Sequence, residues 1–422
     1  MASTKETAAA YTPRDQLFLW LLTQPRQPVL IGTLSMLRAS RGVSLRYADD
    51  WLARGFALSE DLPLIAEEFL PRDKDTAAGA VDDARPDRWG ERVIRLIDRP
   101  PRLSLLEYLY FAGDDRFGAL GVSTSEESYR PRTTTSLPRL PDVAAVHDLV
   151  LKVLANEPIP QAQKRLIAPG VTMGGARPKA LLEIEGAQWV VKFSDHEPTD
   201  TPLIEHASML LAREAKIRTA ETRAIRLVDG HAVAVRRFDR GGSGARRHAL
   251  SANVALKAAG EPLGYPELAQ LLRRRGVATG DAYETHMREL FRRMVFNILI
   301  DNTDDHEKNH VLLVTDAQQY ELSPAFDVLP SGQALGYQQM RVGVQEAEST
   351  LDNALSMSSL FALKKNEASR EVRVVAGVVE RWKERFAAQG VGARDIESYA
   401  EQIDRPFLRD QRAQYLKAGS RR

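Results

Sequence analysis

The sequence predicts an α+β protein in which a small, strand-rich lobe precedes a larger helical lobe, with a further α+β module before both. Two hairpin patterns lie between residues 180 and 238, whereas most of the chain after the Gly241 to Gly244 stretch follows helical spacing. A polar stretch from Ser123 to Pro141, rich in Ser, Thr, Arg and Pro, is typical of a linker. We therefore expect domains at residues 1–125, 142–240 and 241–422.

Composition narrows the class of protein. The 422 residues are too many for one ordinary domain, and 43% apolar residues suffice for more than one core. The absence of cysteine excludes disulfides, thiolate metal sites and cysteine nucleophiles, which fits a reducing compartment. The early apolar run Leu17 to Leu22 is far shorter than the roughly 20 residues of a membrane-spanning helix. We expect a cytoplasmic protein with no membrane association.

The net charge gives no general attraction to polyanions. A formal charge of +1 leaves no strong field toward nucleic acid or an anionic membrane. The conspicuous basic run, Arg273 to Arg275, is typical of a solvated helix face.

The amino-terminal module has few clear patterns. After a loose tail of about a dozen residues, Gly32 to Leu37 predicts a short strand, and helical patterns follow at Asp50 to Phe56 and Trp89 to Ile97. These residues by themselves predict a packed α+β module and no particular chemistry.

The strand-rich lobe begins with a helix predicted at Val143 to Leu154. Strands are predicted at Ala180 to Ile184 and Trp189 to Phe193, with Glu185-Gly186 as the turn. An amphipathic helix then begins near Pro202, since proline suits the first helical turn.

A second hairpin is predicted from Ala224 to Val228 and from His231 to Phe238. Between them lies Asp229-Gly230, a dipeptide suited to a two-residue turn with positive φ. A β-rich lobe followed by a helical lobe is the arrangement expected when a nucleotide binds in the cleft between them.

The most informative segment follows a predicted buried helix that includes Phe291 and Ile298. Turn-favouring residues from Asp301 to Asp305 interrupt this helix. A strand at His310 to Val314 and an antiparallel partner at Tyr320 to Phe326 would carry Asp327 back toward Asn309.

This arrangement would bring together the carboxylates of Asp304 and Asp327 and the amide oxygen of Asn309. Magnesium-assisted phosphoryl transfer needs oxygen ligands for a hard cation and a carboxylate to accept the attacking hydroxyl's proton. The alternative is an Asp/Asn-rich cap on a solvated loop, since such loops are common.

Two further features favour a nucleotide site. The run Gly174 to Lys179 combines two glycines, whose backbone can direct N–H groups at a phosphate, with the positive charges of Arg177 and Lys179. Lys192 lies in an apolar strand, where its ammonium needs a partner such as Glu205. The alternatives are a structural glycine turn and a lysine on the solvent face of an edge strand.

His306 and His310 flank a segment that satisfies the H-E-x-x-H zinc motif. That motif binds zinc only on a helix, where both histidines point the same way. The residues before it break the helix and Val311 to Val314 favours a strand, so the sequence argues against a zinc hydrolase.

Together these motifs closely resemble the signature of the HipA family of bacterial toxin kinases. The principal matches are NTDDHEKN (Asn302 to Asn309) and LSPAFD (Leu322 to Asp327). Further segments are similar to the family's phosphate loop (Gly174 to Lys179), nucleotide lysine strand (Val191 to Phe193), interlobe hinge (Arg237 to Arg240) and amino-terminal subdomain (Gly32 to Leu34 and Pro86 to Gly90). The resemblance covers about residues 30 to 400.

The resemblance implies a protein-kinase-like two-lobe fold with an extra amino-terminal subdomain, ATP and Mg²⁺ as cofactors, and phosphorylation of serine or threonine in a protein substrate. Asp304 would be the catalytic base with His306 beside it, and Asn309 and Asp327 would hold magnesium. The ATP-binding residues implied are Gly174, Gly175, Ala176, Arg177, Lys179, Lys192, Glu205, Arg236, Arg237, Phe238 and Asp239, with the hinge residues contacting adenine through their backbone.

The resemblance also implies a partner and a mode of control. Family members commonly pair with a small DNA-binding antitoxin similar to HipB, so DNA would be contacted only through that partner. Thr172 stands where the family's autophosphorylated hydroxyl would be, although threonine replaces the serine of some relatives and Arg177-Pro178 replaces a more acidic pair. The alternative function is a catalytically weak, nucleotide-binding corepressor that acts through the antitoxin.

Overall fold

Three antiparallel sheets organise the protein. The computed structural model describes residues 11–130, 132, 136–160, 163, 166–167 and 175–417. Its strands are β1 (Gln16–Leu21), β2 (Val29–Leu37), β3 (Gly42–Tyr47), β4 (Glu68–Phe69), β5 (Leu120–Ser123), β6 (Lys179–Ile184), β7 (Ala187–Lys192), β8 (Thr222–Arg226), β9 (His231–Arg236), β10 (Ala249–Ser251), β11 (Val311–Val314) and β12 (Tyr320–Leu322). The strand orders are β4-β3-β2-β1-β5, β6-β7-β9-β8 and β10-β11-β12.

Helices cover the sheets and form most of the large lobe. They are α1 (Asp49–Arg54), α2 (Arg88–Val93), α3 (Leu105–Phe111), α4 (Val143–Leu154), α5 (Thr201–Glu214), α6 (Ala252–Ala259), α7 (Tyr265–Arg275), α8 (Ala282–Leu299), α9 (Leu351–Ser356), α10 (Lys365–Val379), α11 (Trp382–Ala388), α12 (Ala393–Ile403) and α13 (Pro406–Lys417). Within the described ranges, no helix combines the length and hydrophobicity needed to cross a membrane.

The amino-terminal elements predicted from sequence are present with adjusted bounds. The predicted strand is the second half of β2, and the first predicted helix is α1. The second is α2, which continues as a π-helical turn over Ile94–Asp98. Strands β1, β3 and β5 were not predicted, because neither their length nor their turn residues stand out in this part of the sequence.

The first hairpin of the small lobe has the predicted turn. Ile184 pairs with Ala187, and both Glu185 and Gly186 have positive φ, 53° and 74°. That geometry is the two-residue turn that best matches the twist of the strands.

The turn of the second hairpin is longer than the two residues that were predicted. The last pair is Arg226 with His231, which leaves four loop residues. Gly230 has positive φ (65°), but Asp229 does not, and the Leu227 N–H donates to the Gly230 carbonyl at 3.1 Å. The ring of His231 meets the Asp200 carboxylate, Nδ1 to Oδ2 at 2.5 Å. This contact with a residue distant in sequence holds the end of the hairpin, whereas the local sequence favoured a tighter turn.

The large-lobe hairpin is shorter than predicted. Strand β12 ends at Leu322, because Pro324 has no N–H to continue the ladder. Ala325 instead bridges the segment after α5: it donates to the Arg218 carbonyl and accepts from the Ala220 N–H, both at 2.8 Å. This exchange carries Asp327, two residues further along the chain, to the boundary between the lobes.

The hydrophobic cores cross the predicted domain boundaries. Trp89 and Val93 of the amino-terminal module pack in the core of the small-lobe sheet. Leu106 of α3 belongs to the same core as Leu250 and Leu256 of the large lobe. The amino-terminal module therefore shares its buried surface with both lobes.

Candidate active site

A cleft of about 750 Å³ lies where the amino-terminal module, the start of the small-lobe sheet and the loop after α8 meet. Seven of the residues on its inner surface were predicted from the sequence, and the others, including those of the amino-terminal module, were not. Those used below are Asp87, Gly175, Ala176, Arg177, Asp304, His306, Asn309 and Asp327.

Lys192 is the centre of a buried charge network. Its ammonium, 3% exposed, lies 2.7 Å from Glu205 Oε1 and 2.5 Å from Asp327 Oδ1. Burial alone would lower the pKa of Lys192, but the two carboxylates outweigh it and the pKa is raised. The predicted pair with Glu205 is present, and the contact with Asp327 also ties the small lobe to the large lobe.

The pKa values of the two carboxylates in this network are shifted in opposite directions. Burial would raise the pKa of Asp327, yet the Lys192 ammonium lowers it to about 2, so this carboxylate is ionised. Burial and the charge of Asp327 raise the pKa of Glu205 against the pull of Lys192. Asp327 adopts φ of 58°, an uncommon left-handed conformation that directs its side chain into the cleft.

The loop after α8 is fixed at both ends. Asp301, at φ 58°, accepts from Arg405 Nη2 at 2.7 Å and from the Ala334 N–H at 3.1 Å. Asp305 is held by the Tyr265 hydroxyl and lies 2.8 Å from His310 Nε2. These buried contacts flank three residues, and they hold the last of the three in place.

Asp304 is that residue, and its side chain is exposed in the cleft. Partial burial raises the pKa of Asp304, and repulsion by Asp327 adds to this, while His306 opposes it. A carboxylate with a raised pKa and an open approach is suited to accept a proton.

Asn309 and Asp327 fit the requirements of a magnesium ion. Asn309 is 6% exposed and Asp327 15% exposed in side chain, and both line the cleft. Lys192 engages only Oδ1 of Asp327. Among the described residues no group of three His, Cys, Asp or Glu could hold a metal ion. Mg²⁺ commonly binds proteins through one or two oxygen side chains, with water and phosphate oxygens completing its octahedron.

The histidines do not form a zinc pincer. Glu307–Asn309 is one 3-10 turn, and His310 is buried against Asp305. His306 lines the cleft instead. The predicted argument against an H-E-x-x-H helix agrees with this geometry.

The phosphate loop is described from Gly175 onward. Gly175, Ala176 and Arg177 line the cleft, and Gly175 has φ of 66°. The predicted residues Gly174 and Thr172 lie outside the described residues.

Lys179 differs from the prediction that it contacts phosphate. Its side chain is fully buried, and its ammonium donates to Asp87 Oδ2 at 2.6 Å and to the Gly175 carbonyl at 2.5 Å. Because its ammonium is bound to Asp87 and to the Gly175 carbonyl, Lys179 supports the loop at Gly175.

The hinge residues also have a role that was not predicted. Arg236 is exposed and pairs with Glu221 at 3.0 Å. Arg237 and Asp239 are buried, and Arg237 donates to the carbonyls of Asp115 and Arg116 at 2.7 and 2.9 Å. Their side chains therefore bind the amino-terminal module and are not free to bind nucleotide. The predicted adenine contact through this backbone, which includes Phe238, stays a prediction.

Sequence reasoning missed the amino-terminal wall of the cleft. Asp83 accepts from the Ser251 N–H at 2.6 Å and from its hydroxyl at 2.7 Å, and burial raises the pKa of Asp83 to about 6. Asp87 meets Lys179 across 92 residues of sequence. No local pattern signals contacts of this range.

Comparison with known families gives two matches that cover most of the chain. The family described as HipA N-terminal domain matches residues 27–123, and the family described as HipA-like C-terminal domain matches residues 171–386.

The individual proteins that resemble this chain have low sequence identity to it or match only part of it. The chain is similar to Y4dM of Sinorhizobium fredii, named as a candidate kinase, with 30% identity over 156 residues. The match covers 34% of this chain and 37% of that protein, so the chain spans little more than a third of that relative.

Among solved structures, the chain resembles one from the Shewanella oneidensis complex of HipA, HipB and operator DNA. The TM-score is 0.63 at 16% identity, over 95% of this chain and 97% of that one. The kinase CtkA of Helicobacter pylori aligns with a TM-score of 0.43 at 12% identity, over 58% of this chain and 94% of that chain. The two family matches and the Shewanella alignment agree with the α+β fold that the sequence predicted, in which an amino-terminal subdomain precedes the two lobes.

Proposed function

The chain belongs to the HipA family, and we propose that it is an ATP- and Mg²⁺-dependent protein kinase that phosphorylates serine or threonine. One observation carries the proposal: Lys192 joins Glu205 to Asp327, and Asp327 lines the same cleft in which Asp304 is exposed. A strand lysine held by a helix glutamate, next to a metal-binding aspartate, is the arrangement by which protein kinases orient ATP.

Each residue has a distinct task in this proposal. Lys192 holds the α- and β-phosphates, and Asp304 accepts the proton of the attacking hydroxyl. Asn309 and Asp327 would hold magnesium, which would offset the negative charge of the phosphates. Arg177 adds positive charge at the phosphate loop, and the nearby His306 helps to keep Asp304 ionised by opposing the rise in its pKa.

We further propose that the kinase is the toxin of a toxin–antitoxin pair. The Shewanella protein of the same fold was solved with HipB and operator DNA. A small DNA-binding antitoxin similar to HipB is the corresponding partner here, and contact with DNA would be indirect. Autophosphorylation of Thr172 would provide control, since this hydroxyl immediately precedes the phosphate loop in sequence.

Label transfer tests the catalytic proposal. Purified wild-type chain and the Asp304→Ala variant are incubated with magnesium and γ-labelled ATP, and intact mass and label are then measured. We expect phosphate on Thr172 or a neighbouring hydroxyl in the wild type alone. ATP binding without label in either chain would instead favour a nucleotide-binding corepressor.

A further inference from the structure

Two hydrogen bonds attach the amino-terminal subdomain to one residue of the small lobe. Asp87 Oδ2 accepts from the Lys179 ammonium at 2.6 Å, and Trp89 Nε1 donates to the Lys179 carbonyl at 2.8 Å. The other oxygen of Asp87 accepts from the Gly90 N–H at 2.9 Å and caps α2. Trp89 is 3% exposed and packs in the core of the small-lobe sheet. The Trp89 part of this attachment is therefore shielded from water.

Lys179 connects the amino-terminal subdomain to the phosphate loop. It lies directly opposite Lys192 in the β6–β7 ladder, and its ammonium also donates to the Gly175 carbonyl at 2.5 Å. Burial lowers the pKa of Lys179, and the Asp87 carboxylate opposes this. Asp87 therefore keeps charged the ammonium that binds the loop.

The contact at Gly175 fixes the orientation of the next N–H group. A trans peptide is planar, so the Ala176 N–H points opposite to the Gly175 carbonyl. That carbonyl is directed at the buried Lys179, and the Ala176 N–H is therefore directed away from it. Ala176 lines the cleft, and within the described ranges its N–H donates to no backbone carbonyl. Such a free N–H is a donor for a phosphate oxygen.

We propose that Asp87 is a positioning residue for the phosphates of the bound nucleotide: through Lys179 it orients the Gly175–Ala176 peptide so that the Ala176 N–H faces them. This inference rests on the proposed kinase function. It assigns to the amino-terminal subdomain a part in nucleotide binding, although that subdomain need not touch the reacting atoms.

Two variants break the connection at different points. Asp87→Ser keeps a good cap for α2 but is too short to reach Lys179. Lys179→Met removes the ammonium itself. The matched control is Glu107→Gln, which weakens another buried carboxylate–cation pair of the same subdomain, 2.9 Å from Arg102, that has no contact with Lys179.

The measurements separate phosphate binding from binding of the nucleoside. Dissociation constants are determined for a non-hydrolysable MgATP analogue and for adenosine, with thermal unfolding recorded for every variant. We expect Asp87→Ser and Lys179→Met each to weaken binding of the ATP analogue about tenfold, with adenosine unchanged, since a charge-assisted hydrogen bond is lost. The double variant should bind no more weakly than Lys179→Met, and Glu107→Gln should bind both ligands as the wild type does.

Other results would overturn the inference. Unchanged binding of the analogue by Asp87→Ser, equal weakening of adenosine, or additive losses in the double variant would each show that Asp87 does not act through Lys179. If Asp87→Ser fails to fold, Asp87→Asn removes the charge while keeping the size of the side chain and the cap of α2, and analogue binding equal to wild type would then count against the proposal. A wild-type chain that binds no nucleotide would reject the kinase proposal itself.

Discussion

Two carboxylates in one cleft have pKa values displaced in opposite directions. Burial would raise the pKa of Asp327, but the Lys192 ammonium lowers it to about 2. Partial burial raises the pKa of Asp304, and the charge of Asp327 contributes to that rise. Groups whose surroundings separate their pKa values in this way commonly divide acid–base and electrostatic roles. The permanently charged group suits metal binding, and the more basic one suits proton transfer.

Replacement of Asp304 by asparagine tests the second role. Phosphoryl transfer should fall by about 10²- to 10⁴-fold, the usual contribution of general base catalysis. The side chain is exposed, so the thermal unfolding temperature and the affinity for an ATP analogue should stay close to wild type. Turnover at the wild-type rate would contradict the assignment of the base.

The pH dependence of kcat/KM gives an independent check on the same residue. A general base must be deprotonated, so activity is lost as pH falls through its pKa. Because the pKa of Asp304 is raised by burial, the acid limb should lie above that of an ordinary aspartate, about 3.9. Circular dichroism over the same range controls for unfolding. An acid limb at or below the ordinary value would argue that another group accepts the proton.

At the scale of elements, contacts at each end of the proposed catalytic loop explain how the exposed Asp304 is held in position. The loop after α8 is tied to the residue before α13 by Asp301 and Arg405 and to α7 by Asp305 and Tyr265. The Asp301 carboxylate is fully buried and Arg405 is 17% exposed. The cost of burying Asp301 is offset only while its partner is present.

Arg405→Met should therefore destabilise the fold by about 3 kcal/mol at pH 7, because it leaves a buried carboxylate unpaired. Burial raises the pKa of Asp301 even with Arg405 in place. Without Arg405 the folded-state pKa rises further, so the penalty is full above that pKa and vanishes below the unfolded value near 3.9. Urea unfolding at several pH values measures this.

The neighbouring Arg409→Met variant is the control, since that side chain is 59% exposed on the helix that begins directly after Arg405. Its unfolding free energy should match wild type. A penalty for Arg405→Met that does not depend on pH would mean that lost packing, and not the charge of Asp301, is responsible.

At the scale of the whole molecule, the amino-terminal subdomain joins the two lobes. Asp239 accepts from Arg237 Nε, from Arg240 Nη1 and from the Gly118 N–H, at 3.0, 2.7 and 2.8 Å. Burial would raise the pKa of Asp239, but the two guanidinium groups hold it well below its usual range. The hinge between the lobes is thereby clamped to the loop that contains Gly118.

Asp239→Asn should destabilise the whole chain strongly, by about 3 to 5 kcal/mol, since two buried guanidinium groups lose their counter-ion. The folded-state pKa of Asp239 is depressed, so its contribution is full above the unfolded value near 3.9 and is lost as pH falls through the folded value. The variant should therefore lose less stability than wild type on acidification from neutral pH. Denaturant unfolding across that range measures the difference.

Asp115→Asn is the matched control, because Asp115 reaches the clamp through its backbone carbonyl, which the substitution keeps. Equal destabilisation by both variants would mean that the clamp does not depend on the Asp239 charge.

The sequence by itself determined the family, the order of the lobes, helix α8 and the residue types of the cleft. Hydrophobic periodicity, turn chemistry and short motifs are local properties, and they are encoded by residues close together in the chain. Glu185-Gly186 formed its predicted turn for this reason, and Lys192 found the partner expected of a buried ammonium.

Only the tertiary structure decided which charges meet over long distances. Lys192 contacts Asp327, which is 135 residues away in the chain. Lys179 was predicted to bind phosphate, but its ammonium binds Asp87 and it supports the loop. Arg237 and Asp239 likewise hold the amino-terminal subdomain, although their sequence suggested only a hinge. A buried charge is stable only beside an opposite charge or a hydrogen-bonding partner. The partner lies on whichever segment packs against it, and a segment far away in the chain leaves no periodic pattern in the sequence that would identify it.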